Sequence, residues 1–377
     1  MRLLTTLVLM SACATSADPV EDTPPTEDGP SCDAPAGKLT LYVLPPPSPL
    51  DWRSPNQLLG SVLESRSTAA TKIERGDIVL SHSLGHVNLA LDCGEDSIPL
   101  TGQTNTSENQ LAALTNGAGL LLADLPGTLD HMPDATPVET AADIAARQQS
   151  GEVSQISFVV NRATCRRIRE FFDDYVWHEA FRHYNGAMRP RRFEGAGCAI
   201  FGAGVVDVAG LMRRSLFTPA WSRSVMIGSA RIANALRTPT YGYGSNLVAL
   251  GPDGTHQIWP VGQDVMLPTT APALWGSDAL DAWSGPEDQP WPIQGLSDAM
   301  RTQLPFSIYD PQLMGEWVED VWGKAKAQGV ATALGVPWTA STVGTSHEIT
   351  YDASCITPQS IPFADDNDDL FADSDAR

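Results

Sequence analysis

Residues 198–212 read CAIFGAGVVDVAGLM, a segment that is apolar nearly all round. A helix that is apolar on every side belongs in the middle of a domain rather than at its surface. Gly202 and Gly204 have no Cβ, so neighbouring elements can approach this helix closely. The sequence therefore predicts a buried central helix that begins at Cys198.

Most segments with clear periodicity precede this helix. Residues 38–44, KLTLYVL, alternate as in a strand, and Asn161 is placed to cap a following helix. The apolar stripe of that helix consists of Ile168, Phe171, Phe172 and Tyr175. Further strands are predicted at 78–80, 87–91, 98–100 and 156–160, and further helices at 56–65, 138–149 and 311–328. Together these elements predict an α+β fold in which an antiparallel sheet packs on the central cysteine-bearing helix.

Composition and charge narrow the classes of function. The chain has 377 residues, of which 42% are apolar, and 45 acidic residues against 24 basic ones give a formal net charge of −21. Without a basic surplus to neutralise phosphates, nucleic acid is not an expected partner. Oligomeric state stays open at this level.

The first residues are typical of an exported protein. Met1-Arg2 precedes an apolar run, and Ser11-Ala12-Cys13 follows it in the manner of a bacterial lipobox. This pattern predicts a lipoprotein signal peptide over 1–13, with Cys13 lipidated and the protein anchored in the bacterial cell envelope, at the outer membrane or periplasmic face. Cleavage after Thr15-Ser16-Ala17 would instead release a secreted protein.

The segments next to the two termini have the composition of disordered chain. Residues 14–37 are rich in proline and acids and predict a disordered tether, and residues 356–377 predict a disordered acidic tail. The Asp-x-Asn-x-Asp spacing at 365–369 resembles a calcium loop, but Ala376 stands where a bidentate glutamate is needed.

Six cysteines suggest one activated thiol beside structural disulfides. With Cys13 lipidated and Cys198 free, an even four remain: Cys32, Cys93, Cys165 and Cys355. Export makes their pairing plausible, in one of three connectivities that the sequence leaves open. Cys165 shares a helix face with Ile168 and Phe172, which favours a buried or bonded role over a reactive one.

Cys198 is the candidate nucleophile because it follows Gly195-Ala196-Gly197 at a helix start. Free N–H groups and the helix dipole at this position favour a thiolate over a thiol, and the Cys198 N–H can donate to an oxyanion. A thiolate also needs a base, and His86 heads a strand from which its ring can emerge. The alternative is an inert, buried cysteine that packs as a small apolar residue.

Other catalytic patterns are weaker or missing in the sequence. His178 and His183 are five residues apart, whereas a zincin helix places its histidines four apart, so a surface helix end is favoured over a zinc site. The sequence contains no G-x-S-x-G, P-loop or dinucleotide fingerprint.

The order of these motifs resembles the circularly permuted papain-like group, the NlpC/P60-type thiol hydrolases. Gly76-Asp77-Ile78-Val79 comes first, then Gly85-His86-Val87-Asn88-Leu89, and Gly197-Cys198 comes last. The resemblance covers roughly residues 70–212. It implies a permuted core over 38–214 and leaves 215–355 as a C-terminal extension packed on it.

The resemblance also implies roles for individual residues. Cys198 would be the nucleophile, His86 the base, and Gln103 the polar residue that orients the imidazole. The expected activity is cleavage of an amide or ester through an acyl-enzyme, with no metal or organic cofactor required. Cell-wall peptides and acyl groups are the substrates considered. The alternative is a catalytically inactive, lipid-anchored binding or scaffolding protein of the envelope.

Overall fold

The structure of the protein is a computed structural model. It describes residues 34–51, 55–105, 125–132, 137–184, 190–212, 220–228, 246–250, 256–260, 303–328 and 336–360. All of them belong to one compact unit, Asp33–Arg377. The expectations for Cys13, Cys32 and the run 365–369 fall outside the described residues.

The described residues form an α+β fold. The helices are α1 (Pro55–Arg75), α2 (Pro137–Ser150), α3 (Arg162–Trp177), α4 (Cys198–Val208) and α5 (Pro311–Gln328). The strands are β1 (Pro35–Leu44), β2 (His86–Asp92), β3 (Ile98–Thr101), β4 (Gln103–Thr104), β5 (Leu125–Pro126), β6 (Thr128–Leu129), β7 (Ser154–Asn161), β8 (His183–Tyr184), β9 (Ser222–Gly228), β10 (Asn246–Leu250), β11 (His256–Pro260), β12 (Gln303–Tyr309), β13 (Trp338–Val343) and β14 (Ser346–Asp352).

A six-stranded sheet organises the unit, in the order β13-β14-β7-β1-β2-β3. The predicted sheet was wholly antiparallel, but β14 runs parallel to β7 and the sheet is mixed. Parallel neighbours need a long crossover connection, which weak periodicity after Ser215 did not reveal. The C-terminal block therefore does more than pack on a finished core, since it supplies two strands of the central sheet.

One face of the sheet carries the core. Leu39, Leu41 and Val43 alternate along β1 and are fully buried, together with the predicted α3 stripe. Helices α3, α4 and α5 all pack on strands of this sheet. Burying a large apolar side chain contributes about 1.5–3 kcal/mol, so this layer supplies most of the favourable free energy of folding.

Helix α4 lies centrally, as predicted, and every one of its residues is buried. It approaches β2 so closely that a Cβ on Gly202 would lie 2.9 Å from Val87 Cγ1. The predicted cap of α3 is also confirmed, because the Asn161 side chain accepts a hydrogen bond from the Thr164 N–H at 2.9 Å. Capping and close packing thus fix the two helices that flank β1 and β2.

The expected strand at 78–80 does not form. Helix α1 extends to Arg75, well beyond the predicted 56–65, and Gly76 ends it with a φ of 77°. The N–H groups of Val79 and Leu80 then donate to Asp143 Oδ1, at 2.7 and 2.9 Å. A buried carboxylate on α2 therefore takes the backbone donors that a sheet would have used, and residues 77–85 form a loop.

The cysteine pattern agrees with the sequence where it is described. Cys93 and Cys165 form a disulfide that joins the residue after β2 to the first turn of α3, across a sequence separation of 72. Cys355 is disulfide-bonded as well, and Cys198 is free and buried. In the described part of the chain, no helix is both long enough and apolar enough to cross a membrane.

Substituting alanine for Gly202 tests the contact between α4 and β2. We expect Gly202→Ala to lower the free energy of unfolding by about 1–3 kcal/mol, because its Cβ meets Val87 in a packed core. Gly60→Ala is the matched control, since it is also a glycine within a helix but has no atom within 4 Å of its Cβ position. We expect that control to be stabilised by about 0.4–1 kcal/mol. Equal effects in urea denaturation would contradict the close approach.

Removing the Cys93–Cys165 disulfide tests its contribution to stability. We expect Cys93→Ser with Cys165→Ser to lower the free energy of unfolding by about 2–4 kcal/mol, because the bond closes a long loop in the unfolded chain. Guanidinium denaturation of the variant and the wild type measures the difference. An unchanged midpoint would contradict the expectation.

Candidate active site

Cys198 is placed by the start of α4. Gly197 precedes the helix as its N-cap, and Gly195 takes a φ of 114°, which favours glycine. The Cys198 side chain therefore lies where the first N–H groups of the helix are unpaired and the dipole is positive. Cys198 is 7% exposed, which leaves the sulfur mostly enclosed by protein.

His86 is placed by the start of β2. It is the first residue of the strand, directly opposite Leu44 of β1, and it is buried. Its neighbour Val87 is the residue that contacts Gly202 of α4, one helical turn beyond Cys198. The structure brings the two predicted residues together, and their side chains are hydrogen-bonded to each other.

The pair favours opposite charges. Burial alone disfavours an imidazolium, but the Cys198 thiolate and the Asp130 carboxylate outweigh it and raise the pKa of His86 to about 10. Burial likewise disfavours a thiolate, but the charge and hydrogen bond of His86 outweigh it and lower the pKa of Cys198. The Val87 N–H adds a further hydrogen bond to the sulfur. Both shifts favour a thiolate–imidazolium pair over a neutral thiol and a neutral imidazole.

The third member of the site is Asp130. Its Oδ2 lies 3.2 Å from His86 Nε2 and accepts a hydrogen bond of 2.5 Å from Asn88 Nδ2. Asp130 follows β6, and its backbone N–H donates to the Gly102 carbonyl at 3.1 Å. A Cβ on Gly102 would lie 2.7 Å from Asn88 Nδ2, so glycine leaves room for this arrangement. The carboxylate therefore positions the same imidazole that interacts with the sulfur.

Gln103, the residue expected to orient the imidazole, makes its described hydrogen bonds elsewhere. Its Nε2 donates to the Phe181 carbonyl at 2.5 Å, and its Oε1 accepts from Tyr175 Oη at 3.1 Å. Gln103 pairs with Leu129 in the β4–β6 ladder, so its neighbour across the ladder directly precedes Asp130. The structure thus places Gln103 as a support of the segment 181–184 and assigns contact with His86 to Asp130.

Tyr184 completes the surroundings of the sulfur. Its hydroxyl donates a hydrogen bond to Cys198 Sγ over 3.8 Å. Burial and the nearby thiolate raise the pKa of Tyr184 well above its usual value, so the phenol keeps its proton. The segment that bears Tyr184 is the one that Gln103 holds, which connects Gln103 to the site indirectly.

Neither Asp130 nor Tyr184 was singled out from the sequence. Asp130 is one of 45 acidic residues, and no helix or strand was predicted at its position. Its one local signal is its position directly after Leu129, shortly after the turn residues Pro126-Gly127. Tyr184 belongs to the two-residue strand β8, which is too short to show periodicity, and no sequence pattern marks it.

The expected alternatives for histidine chemistry find other settings. His178 stacks on Phe193 with ring centroids 4.5 Å apart, and His183 belongs to β8. Among the described residues, no group of three or more histidine, cysteine, aspartate or glutamate side chains has an arrangement suited to a metal ion.

Comparison with known proteins identifies no relative of this chain. No protein-family model, no curated protein and no solved structure matches the chain. The chemistry of the site therefore has to be argued from its own geometry.

Two substitutions separate the roles of Asp130 and Gln103. We expect Asp130→Asn to slow alkylation of Cys198 at pH 6.5 about tenfold, because a hydrogen bond to a charged group is worth roughly 1.5–3 kcal/mol. We expect Gln103→Ala to lower the melting temperature more than Asp130→Asn does. The substitution removes the hydrogen bonds that Gln103 makes with the Phe181 carbonyl and with the buried Tyr175 hydroxyl. Rates measured by mass spectrometry and melting curves together check both expectations. A larger loss of rate in Gln103→Ala would reverse the assignment.

Proposed function

We propose that this protein is a thiol hydrolase that cleaves an amide or ester bond through an acyl-enzyme. The observation that carries the proposal is the buried, free Cys198, hydrogen-bonded to His86, whose ring is in turn held by Asp130. A nucleophile, a base and an orienting group in series are what nucleophilic catalysis requires. The structural cysteines described are bonded, so the chain leaves this one sulfur available among them.

The reaction would begin from the thiolate–imidazolium pair. Cys198 Sγ attacks the carbonyl carbon of the substrate, and a tetrahedral intermediate forms. As that intermediate collapses, His86 gives its proton to the leaving amine or alkoxide, which leaves an acyl-enzyme thioester. Neutral His86 then takes a proton from water as the water attacks the thioester. The carbon–sulfur bond breaks, the carboxylic acid leaves and the Cys198 thiolate is regenerated. Asp130 keeps the ring in place through both half-reactions.

Two donors are available for the oxyanion. The Cys198 N–H stands at the free end of α4, where no carbonyl of the preceding turn accepts it. The Tyr184 hydroxyl, which keeps its proton, donates toward the same sulfur. Both lie beside the attacking sulfur, and negative charge develops on the oxygen of the carbonyl group that the sulfur attacks.

The proposal extends to the permuted papain-like fold. In support, His86 heads a strand of the sheet, Asp130 follows in the chain, and Cys198 begins the central helix after both. The helix packs directly on the histidine strand. Cell-wall peptides, lipid esters and protein side-chain amides are the substrate classes that this chemistry would serve.

The proposed setting is the bacterial cell envelope, with Cys13 as the lipidated residue. Two observations support export: the lipobox-like start of the chain and the disulfide-bonded Cys93, Cys165 and Cys355. Disulfides persist in oxidising compartments and are rare in the cytosol.

The pH dependence of iodoacetamide labelling tests the proposed thiolate. We expect Cys198 to be alkylated rapidly below pH 7, because the imidazolium of His86 persists up to about pH 10 and holds the sulfur ionised. We expect His86→Ala to slow labelling at pH 6.5 at least about tenfold, because an ordinary thiol with a pKa near 8.5 is only about 1% ionised there. Peptide mapping confirms which residue is modified.

The control is Tyr175→Phe, which changes a buried hydroxyl bonded to Gln103 and leaves the sulfur and the imidazole intact. We expect its labelling rate at pH 6.5 to stay within about threefold of the wild type. If Cys198 is labelled only after denaturation, the site is inert and the protein belongs to the alternative class, a binding or scaffolding protein of the envelope.

A further inference from the structure

A second histidine lies flat against the first. The rings of His82 and His86 have centroids 4.4 Å apart and planes only 2° from parallel. His82 stands in the loop that precedes β2, and its carbonyl accepts the Gly85 N–H at 2.8 Å in the turn leading into His86. The face of the catalytic ring is thus covered by an imidazole from its own chain.

The backbone at His82 is held in an unusual conformation. Its φ is 36°, a positive value that residues other than glycine adopt uncommonly, although asparagine, aspartate and histidine do so more often than the rest. The loop around it is fixed at both ends, by the Asp143 carboxylate on the Val79 and Leu80 N–H groups and by Ser65 Oγ on the Ser83 carbonyl. The surrounding structure therefore imposes the strained position of His82 instead of letting it relax.

Burial and the positive charges of His86 and Arg147 favour the neutral form of His82. His86 faces it from β2, and Asp143 and Arg147 face it from α2. His82 Nε2 lies 3.7 Å from Asp143 Oδ2, too far for a hydrogen bond, and has no hydrogen-bond partner, while the same oxygen accepts from Arg147 Nε at 2.7 Å. Burial, His86 and Arg147 lower the pKa of His82 well below its usual value.

We propose that His82 is a positioning residue of the active site, whose uncharged ring stacks on His86 and holds the catalytic imidazolium between Asp130 and Cys198. This inference rests on the proposed function, because it assigns a role toward the same catalytic pair. His82 touches neither the sulfur nor the substrate in this role and acts through the ring of His86.

The physical basis is the complementarity of a cation and a neutral aromatic face. An imidazolium that loses water on burial gains attraction from a neutral ring laid over it, and the parallel rings restrict its rotation. A protonated His82 would instead place a second positive charge 4.4 Å from the first, which would weaken the thiolate–imidazolium pair. The Asp143–Arg147 pair satisfies its own charges and so leaves His82 neutral.

Three variants separate the ring from the backbone. His82→Phe keeps an aromatic face that cannot be protonated, His82→Asn suits the left-handed backbone but has no ring, and His82→Ala has neither. We expect the alkylation rate of Cys198 at pH 6.5 to fall about five- to thirtyfold in His82→Asn and to stay within about threefold of the wild type in His82→Phe. Equal losses in Phe and Asn, or no loss in Asn, would overturn the proposal.

A spectroscopic readout distinguishes this inference from the proposed function. Nitrogen-15 NMR of labelled histidines follows the titration of the His86 ring, which we expect near pH 10 in the wild type and lower in His82→Asn and His82→Ala. A wild-type titration near the ordinary value of about 6.5 would sink the catalytic pair itself. A high titration that is unchanged in His82→Asn would overturn only the role of His82. Melting curves identify any variant that fails to fold, and His82→Phe then carries the comparison with the wild type.

Discussion

The close approach of α4 to β2 is the constraint from which the site follows. A Cβ added to Gly202 would collide with Val87, so this contact fixes the position of α4 on β2. Cys198 lies one helical turn before Gly202, and His86 lies one residue before Val87. Core packing therefore brings the start of the cysteine helix beside the start of the histidine strand. The remaining residues of the site then orient two side chains that core packing has already brought near each other.

Burial makes the charge states of the sulfur and the imidazole depend on each other. A thiolate or an imidazolium alone would be costly in the interior, but each offsets the desolvation of the other. Around the pair, Asp130 and Tyr184 supply hydrogen bonds and Asn88 supports Asp130. Asn88 therefore acts on the sulfur only through Asp130 and His86, whereas Tyr184 bonds to the sulfur directly.

The sequence predicted the parts of the fold that depend on local pattern. The buried central helix, the Asn161 cap and the strand at 38–44 are confirmed because apolar periodicity and capping act within a few residues. The strand expected at 78–80 was wrong because its backbone donors are taken by Asp143, more than sixty residues away. The parallel position of β14 also depends on a distant connection, which local pattern does not encode.

The same division applies to the site. Cys198 and His86 could be proposed because a helix start and a strand start are local features with known chemistry. Asp130 and Gln103 are neighbours across one short ladder, since Gln103 pairs with Leu129, and the sequence could not show which of them would turn toward the ring. The position of Tyr184 beside the sulfur depends on where the short strand β8 is placed. Residues chosen by tertiary contact carry no periodic mark, which is why they emerge only from the structure.

The Cys93–Cys165 bond has a consequence for how the chain reaches this state. It joins the far end of the histidine strand to α3, and Gly37 packs against its sulfurs too tightly to admit a side chain. In an oxidising compartment, a reactive thiolate would compete for the same partners through disulfide exchange. Cys198 escapes that competition by entering the core at the head of a wholly buried helix. Under the proposed function, burial at the head of α4 thus also protects the Cys198 sulfur from exchange with the cysteines that form disulfides.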